Sequence, residues 1–193
     1  TLQHGNLTIR EDRIFTFQAG VLLPIGNLTV TAFPKFHDAS DPYSFMVSSA
    51  SVNVGIFTDI GLPCENVIRH FSQCHAAFLE SNYDEDMLEN GGYPLALKNR
   101  IRGGNGHLSN RQALELFISH RPAFMSHLFL SHLTRNNNKP KIVKELFSKV
   151  AGQTKIIIAS REKETELYHI RDVSQYPERT RRSKAPLSQH QLS

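Results

Sequence analysis

The apolar runs of this chain are short, and their spacing changes partway along. "RIFTFQAGVLLPIGNLTVTAFPKF" holds two such runs joined at a turn, and "YSFMVSS" and "VNVGIFT" follow as the next pair. "AAFLES", "HLFLS" and "KIIIAS" are instead separated by segments of helical period. Runs of this length, rich in β-branched and aromatic residues, are strand signals. Strands that are paired at first and then alternate with helices predict a layered α/β domain.

The connections support the same reading. Pro24-Ile25-Gly26-Asn27 supplies turn conformations between the first two strands. "LPCENVIRHFSQ" places Val67, Ile68 and Phe71 on one helical face, and "YDEDMLENG" reads as a short acidic helix stopped by Gly91-Gly92. In "LSNRQALELFISH", Ser109 followed by Gln112 forms a capping box ahead of a face of Ala113, Leu116 and Phe117. "KPKIVKELFSKVAG" is an amphipathic helix closed by Gly152.

At 193 residues the chain suits one domain, assigned to residues 1–172, followed by a basic, flexible tail over residues 173–193. No apolar run approaches the roughly 18 residues needed to cross a bilayer, so no membrane partner is expected. The opening "TLQHGNLTIREDR" lacks a signal-peptide layout. Cys64 and Cys74 form no Cys-x-x-Cys pair and read as reduced thiols of a cytoplasmic protein. The net charge of +4 is a modest excess, compatible with a polyanionic partner.

The chemistry lies at the residues where the strands stop. "VTAFPKF" ends at His37-Asp38, "GIFT" at Asp59, "AAFL" at Glu80 and "HLFLS" at His132. His107 lies on the glycine-rich "GGNGHLSN", just ahead of a helix cap. Carboxyl ends of strands are where open α/β sheets gather binding groups. Imidazole and carboxylate are the usual ligands of zinc and similar divalent ions, and a carboxylate can bridge two of them. Taken singly, each residue also has an ordinary structural reading: a hydrogen-bonded histidine, a turn-forming Asp59, a helix-start Glu80. The spacing matches no His-Glu-x-x-His, P-loop or Gly-x-Ser-x-Gly pattern.

The blocks "FPKFHDASDPYSFMV", "VGIFTDIG", "FLESNYDEDML", "GHLSN" and "HLFLSHLTRNNN" together resemble the WalJ (YycJ) type of metallo-β-lactamase-fold hydrolase, in that family's order and over roughly residues 25–170. The resemblance implies an αββα sandwich with two divalent metal ions, zinc or manganese, at one edge. It implies that His37, Asp59 and His132 are metal ligands, with Asp59 bridging. It further implies that His107 donates a proton to a leaving oxygen while Glu80 orients it. The family's His-x-His-x-Asp-His motif does not occur here, and His4 does not replace it. The expectation is therefore that the family's N-terminal part is missing from this chain, which leaves tight metal binding by it alone in doubt and self-association possible.

The activity so implied is a metal-dependent phosphodiesterase, a 5′→3′ exonuclease acting on DNA, with Arg135, Lys139 and Lys141 as candidate phosphate contacts. The alternatives are an RNA-processing or small-ester hydrolase on the same fold, or a catalytically inactive remnant that binds nucleic acid or protein.

Overall fold

The computed structural model describes residues 16–172, together with residues 10, 12 and 14. The basic tail and His4 lie outside the described residues. Seven strands form one sheet in sequence order: β1 Leu22–Ile25, β2 Leu28–Pro34, β3 Tyr43–Ser49, β4 Val52–Phe57, β5 Ala76–Glu80, β6 His127–Ser131 and β7 Lys155–Ile158. The helices are α1 Glu65–Phe71, α2 Glu85–Asn90, α3 Leu95–Arg102, α4 Asn110–His120 and α5 Pro140–Ser148.

β1 to β4 pair antiparallel, whereas β4 to β7 pair parallel. The switch is set by the connections. Gly26 (φ 59°) and Asn27 close the β1–β2 hairpin, and Ala50 (φ 49°) turns β3 into β4. Parallel neighbours need crossovers, and α1, α2 to α4, and α5 supply them in turn. Two antiparallel steps bring β2 into line with β4, so β2, β4, β5 and β6 all end at the same edge of the sheet. Pro24, which lacks a backbone donor, sits on the edge strand β1, where that lack is tolerated.

One sheet face carries the main core. Phe33, Met46, Phe57, Leu79, Leu128 and Leu130 meet Val67 and Phe71 of α1, Leu116 and Phe117 of α4, and Val143 and Phe147 of α5. Burying one such Leu or Phe side chain stabilises by about 1.5–3 kcal/mol. The opposite face holds Ala76, Phe129 and Ile157, against which Val54, Phe78, Tyr168 and Ile170 pack. β5 and β6 are covered on both faces, which explains their near-continuous apolar sequence. Of the four layers of an αββα sandwich, the described residues supply one sheet and one helical layer.

Two helix readings change. The spacing rules predict no helix over residues 95–102, yet α3 is there. Its cap residue is Pro94, with no side-chain cap bond, and only Ile101 is buried, so neither signal shows in the sequence. α5 ends at Ser148, and Gly152 (φ 60°) instead turns the chain towards β7. The two thiols are free; burial pushes that of Cys74 up to about 12. Among the described residues, no helix is long and apolar enough to cross a membrane.

Candidate metal centre

The aligned strand ends deliver their polar residues to one place. Glu80 is the last residue of β5, His132 comes directly after β6, Asp59 lies two residues past β4 and His37 three past β2. His107 reaches the same edge from the loop between α3 and α4. Asp59 Oδ1 lies 3.7 Å from His37 Nε2, 3.4 Å from His132 Nε2 and 4.0 Å from His107 Nδ1.

Glu80 anchors the arrangement. Its side chain is wholly buried. Oε1 faces His107 Nδ1 at 2.7 Å and His132 Nδ1 at 2.8 Å, while Oε2 accepts from the Ile60 N–H at 2.6 Å. Burial pushes this carboxyl up, but the bonds from His107 and His132 outweigh it and hold Glu80 below the usual carboxylate range. An ionised carboxylate only accepts, so both imidazoles carry hydrogen on Nδ1. The bond to Glu80 in turn raises His132 above the usual histidine value. His37 Nδ1 lies 3.0 Å from the Gly106 carbonyl, which also only accepts. All three rings therefore keep Nε2 as the nitrogen with a lone pair when neutral.

The backbone is bent to make this possible. Asp59 (φ 55°) and His132 (φ 58°) both occupy the left-handed region. The Asp59 turn is held by Glu80 on the Ile60 N–H, by the Phe36 carbonyl on the Gly61 N–H at 2.7 Å, and by Lys35, whose ammonium donates to the Thr58 carbonyl. Burial lowers the Lys35 pKa, against the pull of Asp59 and Glu80. A Cβ on Gly61 would stand 2.1 Å from the Gly104 carbonyl, and one on Gly106 would stand 2.2 Å from those of Arg100 and Ile101. The glycines thus let the His107 loop close over both the Asp59 turn and the end of α3.

Asparagines brace the His132 side. Asn82 Nδ2 donates to the His132 carbonyl at 3.0 Å. Asn138 Nδ2 donates to the carbonyls of Ser81 and Asn82 and to Asn110 Oδ1, and the Ser81 hydroxyl also bonds Asn110 Oδ1. Ser81, Asn82, Asn110 and Asn138 are therefore one buried hydrogen-bonded network, a role that residue-by-residue reading misses. The repeated Ser-Asn pair beside each site residue was the available signal. It also changes the view of "TRNNNKPK": Asn137 and Asn138 are buried, while Lys141 pairs with Glu145 along α5. Asp38 and Arg100 were missed as well. Asp38 Oδ1 lies 3.5 Å from His37 Nε2, and Oδ2 accepts from Arg100 Nε at 2.5 Å, which holds Asp38 below the usual range.

Two overlapping groups have ligand atoms within 4.8 Å of one another: His37, Asp59 and His107, and Glu80, His107 and His132. Three N–H donors already engage both oxygens of Glu80, which suits orienting better than ligation. Neither group joins His37 to His132; Asp59 Oδ1 lies between their Nε2 atoms, at 3.7 and 3.4 Å, and imidazole and carboxylate donors of this kind suit divalent cations.

No protein-family profile matches the sequence. The chain is 28% identical over 149 residues to the exodeoxyribonuclease YycJ of Bacillus anthracis, a span of 77% of this chain and 56% of that one. It is 28% identical over 130 residues to the exodeoxyribonuclease WalJ of Streptococcus pneumoniae serotype 2, covering 67% and 47% of the two chains. The solved metallo-β-lactamase-fold protein YhfI of Bacillus subtilis superposes with a TM-score of 0.56 at 19% identity, over 74% of this chain and 51% of that one. The mixed sheet, its helical layer and this likeness define an α/β protein of the metallo-β-lactamase fold. Within that fold its sequence is similar to the YycJ and WalJ exodeoxyribonucleases. It spans about half the length of these curated relatives.

Proposed function

We propose that this chain carries the strand-end portion of a metal-dependent phosphodiesterase that acts on DNA as an exonuclease in the cytoplasm. One observation carries the reading: Asp59 Oδ1 stands within 3.7 Å of the Nε2 atoms of both His37 and His132, while Gly106 and Glu80 hold their other nitrogens. The two relatives named exodeoxyribonucleases support the substrate class.

In this reading His37, Asp59 and His132 hold divalent cations, zinc or manganese, for which imidazole and carboxylate are suitable donors. Such cations, when bound, supply positive charge for the phosphoryl group and a lowered pKa for water. The protein's own groups do the rest. Glu80 keeps a hydrogen on His107 Nδ1, so the ring loses and regains its catalytic proton at Nε2. As a water oxygen bonds to phosphorus and the P–O bond on the opposite side breaks, that proton passes to the departing oxygen, which leaves as a hydroxyl. Asp59 is kept in register by Glu80, because the same carboxylate that orients His107 and His132 also grips Ile60 N–H.

Metal content by mass spectrometry, measured beside hydrolysis of bis(p-nitrophenyl) phosphate, tests this. Wild type binds metal and Asp59→Ala loses it. His107→Ala keeps the metal but loses about 10²-fold or more in rate. Equal metal in wild type and Asp59→Ala, or His107→Ala at full rate, overturns the assignment.

A further inference from the structure

His107 is held from two sides. Downstream, the carbonyl of the fully buried Leu108 accepts from the Asn82 N–H at 2.9 Å, and Ser109 caps α4. Upstream, the His107 N–H donates to the Ile101 carbonyl at 2.8 Å. Gly106, whose carbonyl meets His37 Nδ1, donates to the Gly103 carbonyl at 2.8 Å. The upstream anchor is therefore the end of α3. That helix buries only Ile101, within a small cluster of Tyr83, Leu88, Tyr93 and Leu97. Packing this sparse leaves the placement of the helix to its polar ties.

Those ties run to both ligand loops. Arg100 donates to Asp38, the residue after His37, and the Tyr93 hydroxyl accepts from Asn136 Nδ2 at 3.1 Å, in the loop after His132. Lys98 and Arg102 fasten the same helix to Glu89 of α2. The segment from Tyr93 to His107 thus spans the His37 and His132 loops and carries the proton donor between them. We infer that Arg100 and Tyr93 are positioning residues, which act through α3 to set the His107 ring at the reacting phosphate. This rests on the phosphodiesterase reading and adds two residues that reach its chemistry only through His107.

A guanidinium beside the centre also suits a phosphate. Arg100 Nε, however, is engaged by Asp38 Oδ2 at 2.5 Å, and that carboxylate offsets the charge an anion would meet. Nor does the pair serve mainly to hold the fold together. The Arg100 side chain is 67% exposed, and ion pairs so placed stabilise little. Orientation is a different matter, since a displacement of about 1 Å at a reacting group costs on the order of 10²-fold in rate.

The test uses 15N-labelled protein as purified. His107 and His132 each donate an Nδ1 proton to Glu80 Oε1, so each gives a signal that its own substitution, His107→Ala or His132→Asn, removes. In Arg100→Gln and in Tyr93→Phe, solvent exchange of the His107 proton quickens about fivefold, while the His132 proton keeps its rate. Arg100→Lys, which keeps the charge, stays close to wild type. Hydrolysis of bis(p-nitrophenyl) phosphate gives the second readout. Arg100→Gln lowers kcat about tenfold at unchanged KM and metal content, and adds no loss to His107→Ala.

Equal quickening of both protons means general loosening and overturns the inference, as does no change in either. A raised KM with kcat retained makes Arg100 a phosphate contact and overturns it too. So does a loss that persists in the His107→Ala background. Wild type without hydrolysis, or His107→Ala at full rate, sinks the phosphodiesterase reading. An active wild type, a slow His107→Ala and Arg100→Gln at full rate together sink the positioning role alone.

Discussion

Asp59 and His132 occupy a backbone region that costs an ordinary L-residue roughly 1–2 kcal/mol. Ala50 shares it at a plain hairpin turn, but the other two stand where Glu80 and the asparagine network over-determine the chain. That coincidence of strain and convergent polar groups marks functional sites. The Glu80–His132 bond also sets a pH dependence. His132 is raised by Glu80, so its contribution is complete below the unfolded value of 6.5 and fades as pH rises through the higher folded value. Burial opposes the Glu80 charge, yet its bonds from the imidazoles lower it; its contribution is present above 4.5 and fades as pH falls through the lower folded value. Metal-free protein should therefore resist urea best between about pH 4.5 and 6.5. His132→Asn should remove the decline on the alkaline side. A urea midpoint that stays level from pH 6.5 to 8 in the wild type would count against the paired state.

The elements differ in how openly they announce themselves. α4 was legible because its start is written in side chains: Ser109 accepts from Gln112 N–H, and the Gln112 side chain returns the bond to Ser109 N–H. α3 carries no such mark, although it lines a cleft beside His107 and His132 through Leu97, Arg100 and Ile101. The Ser109 cap has a second role, since its hydroxyl donates to Glu85 at the start of α2 and its backbone pairs with Tyr83. Ser109→Ala should lose about 1–2 kcal/mol in chemical denaturation, and Ser109→Thr should recover most of it. A loss of only a few tenths would show that the Tyr83 pairing holds the helix start without the hydroxyl.

Across the whole molecule, the two faces of the sheet are unequally closed. Helices seal one side, with Phe57, Leu79, Leu128 and Leu130 fully buried. On the other, Tyr168 and Ile170 cover Phe129, while Ile56 stays 36% exposed and Val54 and Phe78 are only partly buried. Apolar side chains gathered on an open face mark a surface that takes a further layer or partner. The isolated chain should therefore bind an environment-sensitive apolar dye, and Ile56→Lys should weaken that signal. No dye fluorescence from the wild type would mean that the face is already covered in solution, which sedimentation would then trace to association between copies.

The order of the strands, the start of α4 and the candidacy of His37, Asp59, Glu80, His107 and His132 can all be read from local pattern. Each depends on the period of apolar residues, on a cap, or on the residue at which an apolar run stops, and these are properties of neighbours in the chain. The pairing of Glu80 with both imidazoles, the left-handed turns at Asp59 and His132, and the asparagine brace could not be read in that way. Glu80 meets His107 and His132 across 27 and 52 positions, and nothing near any of them in sequence specifies that distance. Parallel strands set it, because they bring remote carboxyl ends to one edge, where burial of Glu80 makes each hydrogen bond obligatory.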